Sequence, residues 1–191
     1  MSAVRKILIV GGGIAGATLG CALAKRGIDC EIFEIKPDFS LAGTGMTIQG
    51  IALRAFLNIG VVNDIADAGW HHEKDAIIFT DVHGSAVVDP PARNLVGPGY
   101  PAMVAIRRQA FHEVLSRAVV KENVLVRMDT TVSQLDDCGD RVEVTFTDGS
   151  NGTYDLVVGA DGIHSKVRTM VFGPVRSLYS GFANWRARWT A

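Results

Sequence analysis

The chain has 191 residues, 48% of them hydrophobic, enough for one domain with a real core and against disorder as the default. Its 19 basic and 20 acidic residues leave a formal net charge of −1, which offers no electrostatic footprint for nucleic acid or an anionic membrane. Three cysteines, Cys21, Cys30 and Cys138, lack any CxxC spacing and cannot all pair, so they read as reduced, packed thiols of a cytoplasmic protein.

Ile7-Leu8-Ile9-Val10 is apolar without alternation, the pattern of a central parallel strand buried on both faces. Gly11-Gly12-Gly13-Ile14-Ala15-Gly16 follows at once and satisfies GxGxxG. In that spacing Gly11 permits the tight turn, Gly13 lets backbone approach a pyrophosphate, and Gly16 lets helix and strand pack closely. Ala15, Thr18, Leu19, Ala22 and Leu23 then recur at helical spacing, with Gly27 as the stop, which predicts a helix with those residues on its packed face. Arg5-Lys6 ahead of this run imitates a signal peptide. The glycine spacing and the strand-like run from Cys30 to Ile35 favour a nucleotide turn instead.

Glu34 ends that second strand, where a carboxylate can accept hydrogen bonds from both hydroxyls of an adenosine ribose and repel a 2′-phosphate. A dinucleotide is therefore expected at the turn. Residues 41–48 are glycine-rich and read as irregular, and Ala52, Leu53, Phe56 and Leu57 mark a short helix stopped near Gly60. A hairpin over 76–89 turns at His83-Gly84-Ser85, and a Pro/Gly-rich loop over 89–101 is the natural crossing between lobes.

From Arg108 onward Phe111, Val114, Leu115, Ala118 and Val119 give the clearest helical stripe in the chain. Residues 124–128, 141–147 and 155–159 read as strands. Val142, Val144 and Phe146 alternate with polar residues in the middle one, and Leu156-Val157-Val158 reads as a buried strand. That last strand delivers Gly159-Ala160-Asp161-Gly162 to its carboxyl end, where open α/β sheets bind ligands.

Three stretches carry a resemblance. The run from Asp155 through Asp161-Gly162 to Arg168 resembles the Asp-Gly fingerprint of the flavoprotein aromatic hydroxylases, the para-hydroxybenzoate hydroxylase-like monooxygenases. Ile106-Arg107-Arg108-Gln109-Ala110-Phe111 resembles that family's arginine-x-x-leucine helix start, with Phe111 in place of leucine, and Gly43-Thr44-Gly45-Met46-Thr47-Ile48 resembles its glycine loop near the flavin. The likeness is collinear from residue 4 to about residue 189.

The resemblance implies an α/β fold: a Rossmann-like FAD-binding domain over 1–70 and 104–175, with a β-meander, and incomplete substrate-domain segments over 71–103 and 176–191. It implies FAD as cofactor, NAD(P)H as co-substrate, and hydroxylation of a small aromatic substrate with O₂. Gly11, Gly13, Ala15, Gly16, Glu34, Gly45, Arg108, Val132, Asp161 and Gly162 are the cofactor-binding positions it supplies or supports, with Arg108 toward the flavin and Val132 touching adenine through its backbone. Asp161 falls beside the ribityl or pyrophosphate region, on a segment shared with the NAD(P)H encounter surface. No catalytic acid, base or nucleophile is nominated, because the flavin carries the chemistry.

The family's later Gly-Asp motif is not found before Ala191, which yields the expectation of an amino-terminal portion that binds FAD weakly or not at all and hydroxylates nothing alone. Its unpaired substrate-domain strands would leave self-association open. A related flavoenzyme that does not hydroxylate and a non-catalytic nucleotide-binding module are the competing readings. Asp161, His164 and Ser165 are too close in sequence for a hydrolytic triad, His71-His72-Glu73 lacks metal-ligand spacing, and Trp185 to Trp189 reads as a strand rather than a base-stacking surface.

Overall fold

The computed structural model describes residues 4–39, 43–71, 79–88, 94–174 and 176–183. In chain order its elements are β1 (Lys6–Val10), α1 (Ile14–Ala24), β2 (Asp29–Phe33), β3 (Gly45–Gln49), α2 (Gly50–Asn58), α3 (Val62–Ala68), β4 (Phe79–Thr80) and β5 (Ala86–Val88). β6 (Met103–Arg107), α4 (Arg108–Lys121), β7 (Leu125–Arg127), β8 (Val132–Asp137), β9 (Val142–Phe146), β10 (Asn151–Tyr154), β11 (Leu156–Gly159) and α5 (Lys166–Phe172) complete it. The chain divides into two compact units, Met1–Ser40 with Leu115–Ala191, and Leu41–Val114.

In the first unit a four-stranded sheet has the order β11-β1-β2-β7, and every neighbouring pair is parallel. β1 is central, as its unbroken apolar run requires, with Ile7 through Val10 all buried. A three-stranded antiparallel meander, β10-β9-β8, adds a second layer of apolar side chains. Leu8, Val10 and Phe33 form one core with Val132, Val144, Phe146, Tyr154 and Val167. Within it the Phe33 and Phe146 rings stack with centroids 4.1 Å apart and planes 12° apart. Tyr154 keeps its hydroxyl paired by donating to Glu31 Oε2 at 2.7 Å, and burial together with that carboxylate pushes its pKa up.

Helix α1 departs from its predicted face. Gly16, Ala17, Gly20 and Cys21 are the buried residues, while Leu19 and Leu23 are half-buried. Size explains the choice. A Cβ on Gly20 would stand 2.8 Å from Ile32 Cδ1, so the small-residue stripe lets the helix lie close to β2 without displacing that side chain. β11 also differs from expectation: it occupies the sheet edge, leaving Leu156 exposed and Val157 and Val158 half-buried rather than fully covered. Of the cysteines, Cys21 is buried, with its thiol pushed up to about 11 by burial, and Cys30 is half-buried, but Cys138 is exposed in a turn.

In the second unit β3 pairs antiparallel with β6 from Gly45↔Arg107 to Gln49↔Met103. The glycine-rich stretch expected to be irregular is therefore a strand from Gly45 on, because Met46, Thr47 and Ile48 pair with an alternating partner and Ile48 is buried. α2 ends where Gly60 adopts φ +77°. α3 and β6 have no counterpart in the sequence reading, and β8 and β10 were expected only through the β-meander that the resemblance implies. The expected stripe on α4 is present, with Phe111, Val114, Leu115, Ala118 and Val119 all buried. The hairpin turns on Asp81, whose Oδ1 accepts from the N–H groups of His83 and Ser85. Its outer residues 76–78 and 89, and the strand expected at Trp185 to Trp189, lie outside the described residues.

Candidate functional site

The site begins where β1 stops. Gly11 takes φ +108°, and an added Cβ would lie 2.5 Å from the Ala160 carbonyl oxygen, so the turn can pass under the β11 loop only as glycine. Gly11 N–H donates to Phe33 O at 2.7 Å, and Ala160 N–H donates to Val10 O at 2.7 Å. The turn is thereby fixed to the carboxyl ends of both neighbouring strands. Gly16 presses on the same turn from the helix side: its Cβ would meet Gly11 O at 1.8 Å.

Gly13 is different, because a Cβ there would meet nothing within 4 Å. It is the N-cap of α1, with extended backbone, no side-chain cap and no acidic residue in the first turn. The first N–H groups of α1 thus keep their donor capacity, beside an open position on the backbone and at the positive end of the helix dipole. Ala15 is exposed in that same first turn. These residues fit a diphosphate: donors without a side-chain cap, no competing carboxylate, and room for an anion to reach the backbone.

Glu34 stands next to the turn and is half-buried. Gly12 N–H donates to its Oε2 at 2.7 Å and Lys36 N–H to its Oε1 at 3.0 Å. A carboxylate has about four acceptor positions, so two remain for a vicinal diol. Gly12 must also be small, since its Cβ would come within 3.2 Å of Glu34 Cβ and Phe39 Cε1.

At the end of β11, Asp161 organises the start of α5. Its Oδ2 accepts from Lys166 N–H at 2.7 Å and Val167 N–H at 3.1 Å, and its Oδ1 accepts from Ser165 Oγ at 2.5 Å. Ser165, the N-cap, accepts in turn from Arg168 N–H at 2.9 Å. Three acceptor positions of Asp161 therefore serve the protein's own helix, a capping role the sequence reading did not foresee. The same bonds dispose of the hydrolytic triad, because the Ser165 hydroxyl is engaged with Asp161 rather than His164. Gly162 takes φ +79° and its carbonyl accepts from Ser165 N–H at 3.2 Å, closing the loop. Arg168 spans it, donating through Nη2 to Ile163 O at 2.8 Å, while its Nε is buried and unpaired. Val132 opens β8 with its side chain wholly in the core.

Gly45 and Arg108 belong to the second unit. Gly45 is an ordinary strand position, its nearest Cβ neighbour being Ile106 O at 3.7 Å. Gly43 is the glycine the geometry requires: an added Cβ would sit 2.9 Å from Arg108 Cδ, against the stem of that side chain. Arg108 N–H donates to Thr44 O at 3.1 Å, and the side chain is exposed at the first position of α4. Among the described residues no group of three or more His, Cys, Asp or Glu side chains could hold a metal, and no helix is long and apolar enough to cross a membrane.

Comparison with known proteins gives the family. The family described as "FAD binding domain" matches residues 5–179. Aurachin C monooxygenase/isomerase of Stigmatella aurantiaca is 34% identical over 180 residues, covering 94% of this chain and 46% of the relative. 6-Hydroxynicotinate 3-monooxygenase of Pseudomonas fluorescens is 26% identical over 191 residues, covering 98% of this chain and 48% of the relative. The solved tetrameric form of 2-methyl-3-hydroxypyridine-5-carboxylic acid oxygenase superposes with a TM-score of 0.74 at 25% identity, over 90% of this chain and 43% of that one. The chain thus spans under half the length of these relatives. Because the family match runs unbroken from the glycine turn through Glu34 and Arg108 to the Asp161-Gly162 loop, the chain belongs to the FAD binding domain family of the flavoprotein monooxygenases.

Proposed function

We propose that this chain supplies the FAD-binding part of an NAD(P)H- and O₂-dependent monooxygenase that hydroxylates a small aromatic substrate. One observation carries the reading: an uncapped helix start opposite Gly13, beside a carboxylate already aimed by Gly12 and Lys36, at the carboxyl edge of a parallel sheet. In this reading the α1 N–H groups bind the diphosphate and Glu34 accepts from the adenosine ribose hydroxyls. Val132 offers backbone to adenine, while Arg108 and the Asp161-Gly162 loop face the flavin side. FAD, when bound, supplies the redox chemistry; the residues of this chain bind and orient it. The names of the relatives support hydroxylation of a ring, since 6-hydroxynicotinate 3-monooxygenase and 3-amino-4-hydroxybenzoate 2-monooxygenase both name aromatic acids. Residues 71–103 and 176–191 are assigned to the substrate side, and the protein to the cytoplasm.

Two measurements test this. Titrating ADP and FAD into the isotope-labelled chain should shift the amide resonances of Gly11 to Gly16 and Glu34, and Glu34→Ala should weaken both ligands. Failure of both ligands to shift those amides would overturn the cofactor assignment. For the whole enzyme of which this chain is proposed to supply the FAD-binding part, given FAD, NAD(P)H and a panel of hydroxylated aromatic acids, O₂ uptake should match hydroxylated product. NAD(P)H oxidation by a substrate that emerges reduced or dehydrogenated instead would assign a different flavoenzyme.

A further inference from the structure

Two residues other than glycine adopt positive φ among those described, Asn123 at +55° and Asp129 at +56°. The left-handed conformation is disfavoured for residues with a Cβ, so each needs a structural cause. Asn123 has an ordinary one. It follows α4, its N–H donates to Val120 O at 3.1 Å and Val124 N–H donates to Val119 O at 3.1 Å, the bonding of a helix that ends on a left-handed residue. Asp129 ends no helix. It follows the edge strand β7, is exposed, and sits opposite the segment that leaves β2.

What the Asp129 conformation achieves is a clamp. Glu34 N–H donates to Arg127 O at 2.8 Å before the turn, and Thr130 N–H donates to Glu34 O at 3.0 Å after it. Between them Asp129 N–H donates to Lys36 O at 2.9 Å. Lys36 in turn holds the Glu34 carboxylate through its own N–H at 3.0 Å, while Gly12 N–H takes the other oxygen. Both peptide groups of Glu34, and the residue that aims its side chain, are thus fixed by the 127–130 turn. An uncommon backbone conformation is retained where the surroundings over-determine it, and those surroundings here converge on one carboxylate.

We infer that Asp129 is a positioning residue for Glu34, acting through Lys36, and that its left-handed backbone sets the ribose-binding carboxylate in register with the glycine turn. The inference rests on the dinucleotide reading, but its structural half can be read without any ligand. Glycine adopts this conformation freely and asparagine tolerates it, whereas alanine disfavours it and valine more so.

The test uses the whole chain with Asp129→Gly, Asp129→Asn, Asp129→Ala and Asp129→Val, and ADP as the probe. Without ligand, the Gly12 amide resonance should report its bond to Glu34. It should move in Asp129→Ala and Asp129→Val, as it does in Glu34→Ala, and stay in place in Asp129→Gly and Asp129→Asn. With ADP, Asp129→Ala should weaken binding by at least about fivefold, the equivalent of the lower end of such conformational costs. The same change in a Glu34→Ala background should cost nothing further. Should Asp129→Val fail to fold, Asp129→Ala carries the same comparison. An unmoved Gly12 amide in Asp129→Ala, or an equal loss of affinity with and without Glu34, overturns the positioning role. A Gly12 amide that follows the pattern in a chain that binds no ADP would leave that role standing and overturn the dinucleotide reading instead.

Discussion

The glycine turn of the first unit and the Gly43–Arg108 segment of the second, each taken by itself, are built in opposite ways. Around Gly11 to Gly16 each group is fixed by strand ends and by the Glu34 bonds, and two glycines are obligatory because backbone atoms occupy the space a side chain would need. At Arg108 the N–H donates to Thr44 O as the residue opens α4, and the stem of the side chain lies in the space that a side chain on Gly43 would take. The first arrangement is made of backbone held by hydrogen bonds and close approaches. The second presents a long, exposed cation whose stem passes Gly43.

The sharpest way to break this comparison is to give the turn a methyl group. Gly16→Ala places Cβ against Gly11 O and should destabilise the chain by about 3 kcal/mol, the upper range for overpacking, with loss of ADP binding. Gly13→Ala meets no atom within 4 Å, so urea unfolding should change by no more than about 0.5 kcal/mol. ADP affinity should still fall about tenfold, because the methyl occupies the anion's approach. A Gly13→Ala chain with unchanged affinity would show that the diphosphate lies elsewhere.

Next in size is Glu34→Gln. The amide keeps one acceptor but loses the charge, and hydrogen bonds to charged groups contribute about 1.5–3 kcal/mol, so ADP and FAD should each weaken by about tenfold or more. Adenosine 2′-phosphate compounds should weaken less, since the repulsion of a second anion is lost as well.

The parts of the molecule differ in how legible they were in the sequence. β1, the glycine turn, the existence of α1, and Glu34 at the end of β2 were all readable, because a buried strand, a GxGxxG turn and a helix stop are local patterns. The buried face of α1 was not, since hydrophobicity nominates Leu19 and Leu23 whereas close approach to β2 selects Gly16 and Gly20. β8 and β10 carry Ser, Gln, Asp, Asn and Thr on exposed positions, and it is pairing with β9 that makes strands of them. Asp161 was readable as a motif residue but not as the cap of α5. Gly43 and Asp129 act through neighbours 65 and 93 positions away, Arg108 and Lys36, which no spacing rule reaches.

A smaller effect would sharpen the contrast from the other side. Gly43→Ala should displace the Arg108 stem without touching the glycine turn, so FAD should weaken by about threefold to fivefold while ADP, which lacks the flavin side, keeps its affinity. In an Arg108→Ala background the same substitution should have no effect on FAD. Equal losses for FAD and ADP would show that the two regions are not as independent as their bonding indicates.

The smallest expected effect concerns the edge of the sheet that carries the turn. Asp155, between β10 and β11, accepts from Arg5 N–H at 2.8 Å and Lys6 N–H at 2.9 Å, and those two bonds hold its carboxyl below the usual carboxylate range. A carboxylate with a lowered folded-state pKa contributes stability that is fully present above its unfolded value, about 3.9, and is lost as pH falls through the folded value. Thermal unfolding of the chain should therefore be insensitive to Asp155 titration at neutral pH and become sensitive below about pH 4. Asp155→Asn should lower the midpoint slightly at pH 7 and flatten its acid dependence, because an amide can accept one of the two bonds but gains no proton. ADP affinity at pH 7 should be unchanged, since these bonds tie β11 to the start of β1 rather than to its carboxyl end. An Asp155→Asn chain with the parent's acid dependence would assign that dependence to another group, of which Asp148, lowered by its bonds from Ser150, is the next to replace.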